Sequence, residues 1–349
     1  KRTGIAVGLD TRVQVDLRME VGTLEESVLV VGETPVVETR SAEVAGNITD
    51  DQIQTLPVQG RQWIDLATLL PGTGQDAIRA RYYNSVNIGT GVNYYSNGFY
   101  VDGVNNNWQQ QGEPRQDFPQ ESIAEFRVHA FDARAVYGFA QGGVLSMVTK
   151  SGTNDFHGSG FEYFRSGALN SRTVFQQQKP DYSRNQFGGS LGGPVVKDRA
   201  HFFASAEYTD EKEFFTVNTN GAFPEEEGTF QAPTWVFMAV GRYDQVVSTN
   251  HPASARLGTK RNLKDSMDAG GTPARNAGAA FAAPAASIVA GENWTIGERS
   301  LNDFRFQYAK ATYQGWPSIP GLKWTESGQF PQERIDSLPD VISFGVAPA

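Results

Sequence analysis

The stretch "GFAQGGVLSMVTKSGTNDFHGSGFEYFR", residues 138–165, joins two different kinds of predicted strand. A glycine pair, Gly142 and Gly143, precedes the apolar run "VLSMVTK", and a polar turn then leads into a segment where glycine alternates with aromatic residues. Glycine weakens a strand interior and usually marks a bulge or a close approach of two backbones. The pattern therefore indicates a buried strand followed by the first strand of a larger curved sheet.

The composition of the 349-residue chain favours β structure and excludes several functions. Aromatic residues make up 11% and glycines number 37, and these residues suit strands, turns and bulges. The chain has no cysteine, which excludes disulfides and thiolate metal sites. Its net charge of −9 argues against nucleic-acid binding, which needs a basic face. No apolar run reaches about eighteen residues, so a transmembrane helix is excluded, whereas a barrel of alternating strands is not.

Residues 1–32 are predicted to be the last strands of a small β-sandwich. Apolar and polar side chains alternate strictly from Arg12 to Arg18, and a second strand follows at Ser27–Val31. The first residues contain no leader-like segment, so we expect the chain to begin inside a domain. Residues 33–43 are polar and include Pro35, which predicts an extended linker.

Residues 44–150 are predicted to form a compact α+β unit. Thr49, Asp50 and Asp51 provide a helix start, with acidic residues at the positive end of the helix dipole. Helical spacing of apolar residues predicts a second short helix within residues 60–72. Strands are predicted in "GFYVDGV" (98–104) and "GGVLSMVTK" (142–150), and "QESIAEFRVHAF" (120–131) predicts a short helical turn that leads into a strand.

Residues 151–349 are predicted to form strands of about nine to eleven residues, typical of a barrel wall with apolar side chains outward. In "HFFASAEYT", for example, Phe202, Ala204, Ala206 and Tyr208 share one face. The tripeptide "KDR" at 197–199 predicts a tight hairpin turn. Residues 252–287 are rich in Ala, Gly and Pro without periodicity, which predicts a long loop.

Three stretches resemble TonB-dependent outer-membrane receptors, and more narrowly the Oar-like group with an N-terminal carboxypeptidase-regulatory-like domain. They are "VVETRSAEVAGNITDDQIQTLPVQGRQWIDLATLLPG" (36–72), "NGFYVDGVNNN" (97–107) and "PQESIAEFRVHAFDARAVYGFAQGGVLSMVTKSGTNDFHGSGFEYFR" (119–165). The resemblance continues in "NQFGGSLGGPVVKDRAHFFASAEY" (185–208). The resemblance implies a mainly β protein, with a plug domain over 44–150 and a partial outer-membrane β-barrel over 151–349. It implies energised uptake of a scarce ligand in the outer membrane of a Gram-negative bacterium, without catalysis or a cofactor. The implied partners are a TonB-like energy-transducing protein, outer-membrane lipid and a small-molecule or carbohydrate ligand.

The segment "ESVLVVGET", residues 26–34, resembles the TonB box, a short extended segment that would pair with the energising protein by β-augmentation. The last strand of the N-terminal domain is an equal alternative for the same residues, and both can hold. The candidate partner-binding residues are Glu26, Val28, Leu29, Val30 and Val31.

A cluster of aromatic and amide side chains in the predicted plug loops is the candidate ligand site. Aromatic rings and amides together suit stacking and hydrogen bonding to a polar neutral ligand such as a sugar. Ordinary loop residues are the alternative. The candidates are Tyr82, Tyr83, Tyr94, Tyr95, Asn97, Asn105, Asn106 and Trp108.

The residues that could suggest an enzyme or a metal site are better explained by roles in the fold than by catalysis or metal binding. "GGSLG" at 188–192 matches a serine-nucleophile pattern, but Pro194 and a β run follow where that motif needs a helix. The four histidines are scattered without helical metal-ligand spacing. We therefore predict no catalytic residue and no metal site.

The length of the second region differs from that of a complete receptor barrel. A plugged transporter has about 22 strands of roughly ten residues, whereas residues 152–349 supply 198 residues including loops. We therefore expect a partial wall. A secreted or surface β-rich adhesin is the alternative function, and heat-modifiable migration of a closed barrel on a denaturing gel would separate the two.

Overall fold

The computed structural model divides the chain into two compact units, each built around a β-sheet. One contains Lys1–Arg115 and Ile123–Lys150, and the other contains Gln116–Ser122 and Ser151–Ala349. The residues described are 2–3, 9, 30–31, 44–56, 58, 61–75, 86–89, 96–108, 113–131, 136–138, 140, 142–172, 174, 179–225, 227–267, 269–271 and 278–317.

The first unit contains eleven short strands and two helical segments among its described residues. A six-residue helix, α1, and a 3-10 helix follow the third strand, where the sequence predicts two helices. The strands are β1 (Arg2–Thr3), β2 (Val30–Val31), β3 (Val44–Thr49), β4 (Thr73–Gln75), β5 (Val86–Ile88), β6 (Gly98–Val101), β7 (Val104–Asn105), β8 (Asn107–Trp108), β9 (Glu113–Pro114), β10 (Ile123–Phe131) and β11 (Val144–Thr149), and the helices are α1 (Asp50–Thr55) and the 3-10 helix Trp63–Leu69.

A five-stranded sheet in the order β3-β10-β11-β6-β7 forms the core of the first unit. β10 pairs antiparallel with β3 and β11, whereas β11 and β6 are parallel. The Trp63 ring meets Phe126 of β10 edge to face, with 5.5 Å between ring centroids. Burial of these rings explains why the 3-10 helix packs on this sheet.

Local sequence accounts for the start of α1. Thr49 donates its backbone N–H to Gln52 Oε1 at 3.0 Å, which is half of a capping box. Asp50 and Asp51 lie in the first turn, where negative charge is favourable. The predicted helix start is confirmed.

The second unit contains nine strands, seven of them with ten or more residues, and two short 3-10 helices among its described residues. The sheet runs β12-β13-β14-β15-β16, after which β16 pairs with both β17 and β18. The strands are β12 (His157–Ser166), β13 (Ser183–Val196), β14 (Ala200–Val217), β15 (Gly228–Ser248), β16 (His251–Met267), β17 (Ala279–Ala282), β18 (Ala285–Ile296), β19 (Ser300–Ala311) and β20 (Gln314–Pro317), and the 3-10 helices are Gln120–Ser122 and Gly167–Leu169.

This sheet is a partial barrel wall with an alternating pattern. Phe203 is 2% exposed and Ser205 5% exposed, whereas the intervening Ala204 and Ala206 are exposed. The predicted face shared by Phe202, Ala204, Ala206 and Tyr208 is therefore the outer face. Among the described strands, β12 pairs only with β13, β19 only with β18 and β20 only with β17, so each of these three strands has an open edge.

The prediction of a long loop at residues 252–287 is wrong for the described residues of that range, most of which lie in β16, β17 and β18. β16 pairs along its length with β15 and β18. Arg256 is 3% exposed and Leu257 is 58% exposed, so the charged side chain faces inward and the apolar one outward. Pairing on both sides stabilises this strand, although its small and charged residues conceal the alternation. The interruption between β17 and β18 falls at Ala283, whose N–H is accepted by Asn262 Oδ1 at 2.9 Å.

The predicted strand length is also too short for the middle of the wall. β12 has 10 residues, whereas β14 has 18 and β15 has 21. About 9–11 residues suffice to cross a bilayer. The excess arises because β14 and β15 remain paired as a ribbon as far as Val217 and Gly228.

None of the helices among the described residues has the length and apolar composition that a membrane-spanning helix requires.

Candidate functional site

The predicted aromatic and amide cluster is placed only in part. Tyr82, Tyr83, Tyr94 and Tyr95 lie outside the described residues. Asn97 is 4% exposed, and its Nδ2 donates to the Val86 carbonyl oxygen at 2.5 Å. Its Oδ1 accepts the Ile88 N–H at 3.4 Å. The Asn97 side chain therefore secures β5 and is turned away from solvent.

Asn105, Asn106 and Trp108 come together in the turn region that follows β6. Asn106 is buried and Trp108 is half-buried in β8. The backbone N–H of Asn106 donates to the Phe99 carbonyl oxygen at 2.8 Å, and the neighbouring Asn107 side chain accepts the Phe99 N–H. The strand β6 thus fixes this polar turn from two sides.

Arg115 completes this turn region, although sequence reasoning missed it. Its Nη2 donates to Asn105 Oδ1 at 3.4 Å and to the Asn107 carbonyl oxygen at 3.2 Å. Burial lowers the pKa of the Arg115 guanidinium below its usual value, yet a guanidinium remains charged at neutral pH. Arg115 is the single basic residue in residues 97–118, a signal that could have identified it. The turn region therefore contains a cation held by Asn105 and Asn107.

Gly143 lies at a close approach of three segments. Its N–H donates to the Ile88 carbonyl oxygen at 3.1 Å, and its carbonyl oxygen accepts the Gly98 N–H at 2.9 Å. A Cβ at Gly143 would overlap the Ile88 side chain and lie 2.6 Å from the His129 carbonyl oxygen. A Cβ at Gly142 would lie 3.0 Å from the Ile88 carbonyl oxygen. Both glycines allow the end of β5 to approach the start of β11 closely.

The candidate TonB box is described only at its end. Glu26, Val28 and Leu29 lie outside the described residues. Val30 and Val31 form β2, which pairs in parallel with β1.

A continuous polar network lies on the inward face of β13 and β14. Tyr182 Oη donates to Glu211 Oε1 at 2.6 Å, and Arg184 Nη1 donates to Glu211 Oε2 at 3.1 Å. Gln186 Nε2 donates to Glu207 Oε1 at 2.7 Å, with both residues 3% exposed. Burial, reinforced by the Glu211 hydrogen bond, raises the pKa of Tyr182, which precedes β13, to about 12. These inward polar side chains of the wall thus hydrogen-bond with one another, as is usual for buried polar groups.

The described residues contain neither the turn that a serine nucleophile needs at residues 188–192 nor a group of metal ligands. The "GGSLG" pattern lies within β13, and Ser190 Oγ is 2.9 Å from Ser159 Oγ of the neighbouring strand. A nucleophile elbow needs a strand-to-helix turn, which this strand does not provide. Within the described residues, no group of three or more metal-ligating side chains could hold an ion.

Comparison with known proteins relates the chain to outer-membrane receptors. A family model described as "Outer membrane beta barrel domain" matches residues 148–235. The chain is 28% identical over 243 residues to "TonB-dependent transporter Oar" of Myxococcus xanthus, covering 65% of this chain and 22% of that protein. It is 29% identical over 188 residues to "Probable TonB-dependent siderophore receptor PirA" of Acinetobacter baumannii, covering 50% and 23%. The matches thus span less than a quarter of each relative.

Solved structures show the same fold. The outer-membrane transporter YddB from Escherichia coli has a TM-score of 0.58 at 12% identity, with 73% of this chain and 37% of that chain covered. The siderophore receptor PirA from Pseudomonas aeruginosa has a TM-score of 0.55 at 16% identity, with 79% and 42% covered. The chain therefore shares the fold of part of these outer-membrane proteins, with a partial barrel. Its relatives are transporters and receptors rather than enzymes, and they indicate the outer membrane of a Gram-negative bacterium.

Proposed function

We propose that this protein is a TonB-dependent receptor that takes up a scarce ligand across the outer membrane. The observation that carries the proposal is the junction at Lys150. There the buried strand β11 of a compact α+β unit leads directly into β12, the first strand of the segment that matches the outer-membrane barrel family. A barrel wall that follows a small folded unit is the architecture that a gated receptor needs.

The ligand in this proposal is anionic, with a ferric siderophore as the leading class. Two observations support it. One relative carries the name of a siderophore receptor, and Arg115 supplies a partly buried cation beside Asn105 and Asn107. A guanidinium recognises carboxylate and catecholate oxygens by charge-assisted hydrogen bonds. The carbohydrate suggested by the Tyr and Asn content has no support from the relatives.

The energising partner in this proposal is a TonB-like protein that pairs with residues 26–31 by β-augmentation. Residues 1–32 would then be the end of a carboxypeptidase-regulatory-like domain, joined to the plug by the linker 33–43. Outer-membrane lipid would cover the outward face of the wall, where Leu191, Phe306 and Tyr308 are exposed. An apolar outer band of this kind is what lipid-facing strands present.

Ligand binding tests the proposal through Arg115. Tryptophan fluorescence of the protein would be titrated with ferric siderophores and, separately, with oligosaccharides. We expect a ferric siderophore to bind and Arg115→Met to raise its Kd by about 10- to 100-fold, because a charge-assisted hydrogen bond is lost. Arg115→Lys should restore part of the affinity. Arg261→Met, which removes an exposed arginine of β16, is the matched control. Binding of oligosaccharides alone would contradict the proposed ligand class.

Partner binding tests the other half of the proposal. Leu29→Pro combined with Val28→Ala and Val30→Ala should abolish binding to the C-terminal domain of a TonB-like protein, since proline removes a donor from the added strand. Val36→Ala with Val37→Ala, in the neighbouring linker, should leave binding intact. Isothermal titration calorimetry provides the affinity. Equal affinity in the proline variant would place the partner site elsewhere in the chain.

A further inference from the structure

The segment Gln116–Ser122 packs within the second unit, although the chain before and after it belongs to the first. It is deeply buried: Gln116 and Phe118 are each 1% exposed, and Ser122 is 0% exposed. A buried segment of seven residues must satisfy its polar groups locally. Three strands of the wall provide its partners.

An ion pair fixes the start of the segment to β16. Lys260 Nζ lies 2.5 Å from Asp117 Oδ2, and the two side chains are only 17% and 13% exposed. Separating two charges that are this poorly hydrated leaves each without compensation, which is strongly unfavourable. The pair therefore resists release of the segment.

Phe118 and Gln116 extend this attachment along β16 and across to β18. The Arg256 guanidinium lies 4.9 Å from the centroid of the Phe118 ring, a distance at which a cation is attracted to an aromatic face. Ser287 Oγ donates to Gln116 Oε1 at 2.7 Å. Opposite Ser287 in the register is Gly258, where a Cβ would overlap the Gln116 amide. A glycine at that position lets the segment approach the sheet closely.

Glu121 attaches the end of the segment to β12. Its Oε2 accepts the Ser159 hydroxyl at 2.9 Å, and Ser159 Oγ also lies 2.9 Å from Ser190 Oγ. The segment is thus attached to three strands, β12, β16 and β18, so that loss of one contact would leave the other two in place.

The position of the segment in the chain gives these contacts a mechanical consequence. Ile123, which follows the segment, pairs with Thr149 at the end of β11, and the chain enters the second unit again at Ser151. The two central strands β10 and β11 are therefore connected to the second unit at the same end of their pairing. β3 lies at the sheet edge and, among the described strands, pairs only with β10.

We propose that Gln116–Ser122 is a wall anchor that stays bound to the second unit while the first unit opens during uptake. Opening then begins at the edge strand β3, and the β10–β11 pair stays tethered through both of its chain connections. This inference rests on the proposed function for its role in uptake. The anchor itself is a property of the chain that can be measured without ligand or TonB.

Hydrogen–deuterium exchange of the full chain in detergent tests the anchor. Gly143→Val, which disrupts the packing of β5 against β11 in the first unit, should accelerate exchange in β10 and β11 but not in peptides covering residues 116–122. Lys260→Met combined with Arg256→Met should accelerate exchange in residues 116–122 by at least about tenfold. Lys264→Met is the matched control, because Lys264 pairs with Glu213 of the wall at 3.4 Å and should leave the segment unchanged.

Asp117→Asn is a second variant that leaves the wall sequence intact. It should accelerate exchange in residues 116–122 while β13 and β14 stay protected, which also shows that the wall remains folded. If Gly143→Val accelerated exchange in residues 116–122 as well as in β10 and β11, the proposal would be overturned. Unchanged exchange of the segment in both Asp117→Asn and the double variant would overturn it as well. Either failure leaves the tests of ligand and partner binding unaffected.

Discussion

Asp102 accepts the backbone N–H of Thr149 at 2.9 Å and the Thr149 hydroxyl at 3.0 and 3.1 Å. This contact joins the turn between β6 and β7 to the last residue of β11, immediately before the chain enters the second unit. Asp102 has φ 51° and Gly103 has φ 76°, the left-handed pair that a tight hairpin turn of this type requires. One side chain thus links the polar turn region to the junction at Lys150.

Replacing Asp102 should destabilise the first unit. We expect Asp102→Ala to lower the free energy of unfolding by about 2 kcal/mol, since the Thr149 N–H loses its acceptor and alanine is strained at positive φ. Asp102→Asn retains one acceptor and tolerates the left-handed conformation, so its loss should be under about 1 kcal/mol. Urea unfolding followed by tryptophan fluorescence measures both. An equal loss of unfolding free energy in Asp102→Ala and Asp102→Asn would show that the Asp102 acceptor does not stabilise the first unit.

Gly143 should tolerate no side chain. A β carbon would meet the Ile88 side chain and the His129 carbonyl oxygen, and overpacking of this kind costs about 1–3 kcal/mol or more. Limited proteolysis should therefore cleave the first unit of Gly143→Val faster than that of the parent. Gly138→Ala is the control, because a β carbon there has no atom within 4 Å. Equal cleavage rates in the parent, Gly143→Val and Gly138→Ala would refute a close approach at Gly143.

Asn154 should hold the turn between β13 and β14. Its Nδ2 donates to Asp198 Oδ1 at 2.5 Å, and its Oδ1 accepts the Asp198 N–H at 2.8 Å. The same oxygen lies 2.8 Å from His201 Nε2. In Asn154→Ala, amide exchange at residues 197–200 should rise by about tenfold, the equivalent of one lost hydrogen bond. Asn170→Ala, at an exposed position after β12, should leave it unchanged, and an identical rise in both would contradict the assignment.

Glu227 should make the loop between β14 and β15 sensitive to acid. The Thr219 hydroxyl at 2.7 Å, and the N–H groups of Gly221 and Thr219 at 2.8 Å, donate to its carboxylate. They lower the pKa of Glu227, with the hydroxyl contributing most. A lowered pKa in the folded loop means that the stabilisation is present above the unfolded pKa and is lost as pH falls through the folded value.

Amide exchange of Thr219 and Gly221, corrected for intrinsic rates, provides the measurement for this loop. Protection should be full near neutral pH and should disappear as the pH falls below the ordinary glutamate range. Glu227→Gln should have weaker protection that does not depend on pH in that range. A parent loop whose protection is constant down to the lowest pH would contradict the role of the carboxylate.

Local patterns predicted those parts of the fold that depend on neighbouring residues. The α1 start at Thr49, the hairpin turn at Asp198 and the outward face containing Phe202 are all confirmed. β16 was missed because its stability comes from pairing with two other strands, which its own composition does not show. A segment with weak alternation of apolar and polar residues can still form a central strand when it pairs with a strand on each side.

The candidate site could be predicted less well for a related reason. Asn97 is of a residue type that often contacts ligands, yet its side chain is engaged in hydrogen bonds with β5. The pair of Asp117 and Lys260 joins positions 143 residues apart, so no short motif contains both. Residue type identifies chemistry, whereas burial and long-range pairing decide which side chains remain for a ligand.

Iron accumulation measured with a radiolabelled ferric siderophore tests the central proposal most directly. The comparison uses cells that express this protein with a functional or an inactivated TonB-like partner. The proposal predicts accumulation that requires both the protein and the active partner and that decreases in Arg115→Met. Accumulation that is equal with and without the active partner, or no accumulation with any siderophore that the protein binds, would contradict it.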